Sequence, residues 1–174
     1  LNLIEGEPLL DLPHYDWGIN FATVIISVVL AVVGYGLIFV MESTHNLFEK
    51  IRNSKVLKVW WHRALIAGIG IASLYLLGGP LVEFTGNLSI KPMFEQAASL
   101  GLIGLLWVLV IKIGVISWSK AIGFRGGMIF PTIFLASVLV AIVQMYAKDF
   151  NLIYGLIATM IGALAANRKT HVLV

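Results

Sequence analysis

The sequence contains no cysteine. Disulfide frameworks and thiolate metal sites are therefore excluded from these residues. Charge is also scarce: only 12% of the 174 residues are Asp, Glu, Lys or Arg. Soluble domains carry about 25%. So few charges could not solvate the surface of a domain this long. No Asp or Glu falls inside any of the long apolar runs, so these residues offer no proton relay at membrane depth. No cleavable secretory leader is expected in these residues, because the first sixteen hold Glu5, Glu7, Asp11 and Asp16 and no Lys or Arg.

What is present is apolar. Hydrophobic residues make up 59% of the chain, and the mean hydropathy is +0.94. This composition predicts an all-α, multi-pass protein of the cell membrane, with lipid against its outer face. Five segments carry the pattern. Asn20–Met41 runs 22 residues without a charge, and a crossing needs about 20. Asp16 is expected to cap it and Trp17 to anchor it at the interface. The polar stretch from Glu42 to Lys55 is expected to continue the helix out of the bilayer. The second segment is 64–82, stopped or bent by Gly78, Gly79 and Pro80. A short interfacial helix is expected over "LSIKPMFEQAAS". The third span is 100–119 and holds one charge, Lys112; the fourth is 128–147. The fifth, 152–166, is short for a full crossing, which predicts a helix that does not traverse the bilayer.

Charge provides an independent check. With sides alternating along five segments, Lys50, Arg52, Lys55, Lys58, Arg63, Lys120, Arg125, Arg168 and Lys169 share one side. Only Lys91 and Lys148 fall opposite. That bias is the positive-inside pattern. The chain starts at Leu1 and ends on "HVLV", and is read as one partial transmembrane domain, 1–174, cut at both ends.

The stretch "GFRGGMIFP", Gly123–Pro131, interrupts two apolar runs. Glycines let backbone N–H groups approach a ligand closely. Pro131 is expected to hold Phe130 outside the helix and mark a helix start nearby. The first N–H groups of a helix lack internal partners, and in lipid they need an acceptor. An anion would serve, favoured by the helix dipole. The bland alternative is a plain loop, and a short glycine pattern alone does not decide between them. Lys112 is the one intramembrane charge: either a pathway residue or a structural lysine paired with a carbonyl or an acid.

Other chemistry finds little support. His14, His45, His62 and His171 are scattered and outside the spans, so no metal site and no cofactor are expected. No serine sits in a nucleophile turn, so an enzyme is not expected. Bases scattered around apolar spans do not suggest nucleic acid. Gly68, Ala72, Gly101 and Gly104 are expected to let helices pack closely.

"GFRGGMIFP" followed by "TIFLASVLVAIV" resembles the C-terminal half of the membrane domain of the CLC family of chloride channels and chloride/proton antiporters. Upstream, "VLVIKIGVISWSKAIG" looks like the preceding family helix, with Lys112 at a position that is often basic. Downstream, "LIATMIGALAANRKTHVLV" looks like the family's next helix and turn. The resemblance implies tilted, partly non-spanning helices and transport of chloride or a similar small anion. It implies a homodimer in the full-length protein. It also implies that the N–H groups of Met128 and Ile129 form part of the anion site, with Gly123, Gly126, Gly127, Phe130 and Pro131 as the motif around them. Two departures stand out. Ile129 replaces the usual phenylalanine, and the family's Ala-Pro turn reads Lys169-Thr170-His171 here. Other readings are a different multi-pass solute transporter and an inactive membrane scaffold.

Overall fold

The computed structural model describes residues 20–53, 60–86, 88–124 and 126–172, with the side chains of 60 and 167–172 outside the description. The described residues form five α-helices: α1 Phe21–Arg52, α2 Trp60–Gly78, α3 Ile90–Ile122, α4 Ile129–Tyr146 and α5 Leu152–Val172. A 3-10 turn, Pro80–Val82, follows α2.

Helix α1 starts where its backbone donors find an acceptor. Asn20 Oδ1 accepts from the Thr23 N–H at 2.7 Å and from Thr23 Oγ1 at 2.8 Å. The cap is thus Asn20 rather than Asp16, which lies outside the described residues along with Trp17. The polar extension after Met41 is helical to Arg52, as its pattern predicts. There Arg52 pairs with Glu49 and donates to the Ala121 carbonyl at 2.8 Å, tying the end of α1 to that of α3.

Helix α2 ends earlier than the hydropathy suggests. It stops at Gly78, and Val82 belongs to the 3-10 turn. Hydropathy continues through Leu81 and Val82, but Pro80 has no N–H to extend the ladder. Helix α3 is two pieces joined at Gly101, whose φ of 62° and ψ of −175° break it. That conformation is essentially restricted to glycine. The expected interfacial helix and the expected third span are therefore continuous in sequence but kinked where they meet. Gly101 serves this kink, not close packing.

Close packing uses other glycines. A β-carbon at Gly162 would collide with the Ala31 carbonyl, and one at Gly34 with the Thr159 carbonyl. These two positions let α1 and α5 touch backbone to backbone. Gly68 faces open space, Gly104 meets only Leu100 of its own helix, and Ala72 is exposed, so the expected packing role fails there among the described residues.

The core lies around α3 and α4, where Leu105, Phe134, Leu135 and Val138 are almost completely buried. The outer faces of α1 and α2 show Val28, Val32, Phe39, Leu65, Ile69 and Leu76. Such exposed aliphatic faces suit lipid. Helices α1 to α4 are long and apolar enough to cross a membrane; the apolar part of α5, Leu152–Ala166, is shorter. Helix α5 itself runs on to Val172, beyond the expected end at 166.

Candidate anion site

The glycine break begins at the end of α3. Gly123 adopts φ 95°, and its N–H and that of Phe124 return to the carbonyls of Lys120 and Ser119 at 3.2 and 3.0 Å. A left-handed residue here closes the helix as a C-terminal cap. Arg125 lies outside the described residues. Gly126 and Gly127 lead to Met128, the N-cap of α4, which has no side-chain cap of its own. The Met128 carbonyl takes both the N–H and the hydroxyl of Thr132, at 3.1 and 2.7 Å.

Helix α4 starts at Ile129, so Phe130 is helical, in the first turn. The expectation that Pro131 holds Phe130 outside the helix is incorrect. Proline is tolerated in a first turn because its missing N–H would have been unpaired anyway. The donors left at this end belong to Met128, Ile129 and Phe130. None has a preceding turn of α4 to bond to.

Of these three residues, Met128 borders an open cavity of about 480 Å³ between α2, α3 and α4. Its walls include Tyr75, Phe84, Thr85, Ser119, Lys120, Phe124, Gly126, Gly127, Met128 and Pro131. Among the described residues its polar side chains are three hydroxyls and one ammonium, with no carboxylate. A β-carbon on Gly126 or Gly127 would meet nothing within 4 Å. The space beside the backbone is therefore empty, which is what close approach of a ligand requires. Ile129 is 62% exposed and does not line the cavity; Met128 and Pro131 do. The replacement of phenylalanine by Ile129 thus leaves this wall untouched.

Lys112 does not line the cavity. It is fully buried, and its Nζ donates to the carbonyls of Val82, Glu83 and Phe84 at 2.9, 3.1 and 2.9 Å. It also sits 5.0 Å from the centre of the Phe134 ring, within cation–π range. All three of its N–H donors are matched by carbonyls.

Sequence reasoning missed the four polar wall residues, Tyr75, Thr85, Ser119 and Lys120, and the Phe84 ring beside them. Ser119 was within reach, because it falls seven residues after Lys112, on the same helix face. Tyr75 and Thr85 reach the cavity only through the folding of α2 and its following turn. A second, smaller cavity of about 40 Å³ shares Met128 and Lys120 with the first and is lined also by Glu42, His45 and Ser117. His45 Nδ1 is buried there with no partner among the described residues. Glu42 looks remote in sequence, yet the fold brings it beside Met128. The side chains of Lys169, Thr170 and His171 lie outside the described residues.

The family model for the voltage gated chloride channel matches residues 2–169. Among curated proteins, the chain is 29% identical over 119 residues to the "Putative ion-transport protein YfeO" of Salmonella newport (strain SL254), and equally to that of Salmonella agona (strain SL483). The match covers 66% of this chain and 26% of each relative, so the chain spans about a quarter of their length. No solved structure matches. The near-complete match, the all-helical fold and the apolar helices lead to one conclusion: the chain is part of a multi-pass membrane protein and belongs to the voltage gated chloride channel family.

Proposed function

We propose that the full-length protein moves chloride or a similar small anion across the membrane, with the N–H groups of Met128 and Ile129 forming part of the anion site. The observation that carries this reading is the cavity at the start of α4. It combines a helix N-terminus, three hydroxyls and the Lys120 ammonium, with no acid among its described walls. An anion entering it exchanges water for oriented donors. The helix dipole adds attraction where the first turn has unpaired N–H groups. The name of the relatives, an ion-transport protein, agrees with this role.

The cavity is much larger than one water molecule, which occupies about 30 Å³ in the liquid. The anion therefore enters with part of its hydration shell and sheds water as it nears the backbone donors.

The test removes one donor and leaves the helix in place. Met128 has φ −81°, close to the value proline imposes, and the preceding Gly127 tolerates a following proline. Met128→Pro in the full-length protein is expected to fold and to bind chloride about tenfold or more weakly, measured by titration calorimetry. Met128→Ala is the control for loss of the side chain. Equal chloride affinity in Met128→Pro and Met128→Ala would remove this N–H from the site.

A further inference from the structure

We propose that Phe84 is a specificity-determining ring at the mouth of the cavity, held in position by Lys112 and Tyr75. The specificity role rests on the anion reading above; the holding role does not.

Phe84 has φ +47°, the one left-handed backbone among the described residues other than glycine. A bulky side chain disfavours that conformation. It persists where the surroundings over-determine it, and such positions cluster at functional sites. Both polar groups of the Phe84 backbone are tied down. Its N–H donates to Tyr75 Oη at 3.0 Å, and its carbonyl accepts from Lys112 Nζ at 2.9 Å. The same ammonium also holds the two carbonyls before it. A buried lysine thus spends every donor on one strained turn. A buried cation in a membrane protein is costly and usually functional; Lys112 does not itself line the cavity and meets its wall through the Phe84 carbonyl.

What the turn presents is the Phe84 ring. It is 77% exposed, not packed into the core. With Thr85 it forms part of the cavity wall, whose other walls include Met128 and Pro131. The Tyr75 ring stands 6.2 Å away, centre to centre. The ring adds to the apolar share of a wall that also holds Ile71, Val115, Ile116 and Phe124; apolar groups cannot replace the hydration of a small anion, so they favour large, weakly hydrated anions. The bonds from Lys112 and to Tyr75 keep the backbone that carries the ring in one place.

The test uses full-length protein in liposomes and compares thiocyanate flux with chloride flux. Phe84→Gly removes the ring and suits the left-handed backbone, so folding is not threatened. The thiocyanate-to-chloride ratio is expected to fall about threefold or more. An unchanged ratio would overturn the specificity role and leave the ring as a lipid-facing group. Tyr75→Phe, which frees the Phe84 N–H, is expected to shift the ratio the same way by a smaller factor.

The holding role has its own readout. In a background whose only thiol is Thr85→Cys, labelling by a water-soluble thiol reagent is expected to quicken when Tyr75→Phe or Lys112→Met is added. An unchanged labelling rate in both would overturn it. If wild-type protein carries neither anion, the anion reading falls and the specificity role with it, while the labelling result still decides the holding role.

Discussion

At the scale of single residues, the fold reassigns the charges. Lys112 reads from sequence as a lone intramembrane cation with two open roles. Its three carbonyl partners come from residues about 30 positions earlier, and no local pattern could supply them. Replacing it with methionine keeps the bulk and leaves those carbonyls without their donor. Lys112→Met is expected to lose about 3 kcal/mol or more, seen as a lower unfolding temperature in detergent. A loss under about 1 kcal/mol would mean that water replaces the ammonium. Glu42 is the converse case. Sequence places it on the polar extension of α1, yet it borders the small cavity that shares Met128 and Lys120 with the large one. A carboxylate near a bound anion opposes it, and weak screening inside the protein preserves that effect. Glu42→Gln is therefore expected to raise chloride affinity about threefold to tenfold, by titration calorimetry. Unchanged affinity would mean that Lys120 or solvent neutralises the acid.

At the scale of elements, most of the architecture was legible. Apolar runs gave five helices because a chain in lipid must satisfy its backbone internally. Ends were less legible, since hydropathy does not register where a hydrogen-bond ladder fails. Pro80 stops α2 ahead of two more apolar residues, and α4 begins ahead of Pro131. The packing glycines were not legible at all, because any helix-face glycine looks the same in sequence. Gly162 and Gly36 make the contrast measurable. Gly162 packs its backbone against Ala31, while Gly36 has nothing within 4 Å. Glycine to alanine in an open helix position stabilises by about 1 kcal/mol or less. Gly36→Ala should follow that rule, and Gly162→Ala should reverse it, costing about 1–3 kcal/mol as α1 and α5 are forced apart. Thermal unfolding of both variants in detergent checks the sign. A stabilised Gly162→Ala would mean that the α1–α5 contact is looser than described.

At the scale of the whole molecule, the glycine break acquires its meaning from what surrounds it. "GFRGGMIFP" alone is consistent with a loop. In the fold, its backbone opens onto a cavity built from α2, the turn after it, α3 and the start of α4. The sequence showed one wall of this site, because motif and helix start are local. The other walls come from residues up to about 55 positions away, such as Tyr75, and depend on tertiary packing. The same scale limits what 174 residues do alone, since they span about a quarter of their curated relatives. Transport is a property to be measured on the full-length protein. The most direct measurement is anion efflux from liposomes holding that protein, with external pH recorded at the same time. Chloride efflux is expected; proportional proton movement would assign an exchanger, and its absence a channel. No flux of any small anion from well-folded protein would contradict the account and leave the break before α4 as a loop beside an idle cavity.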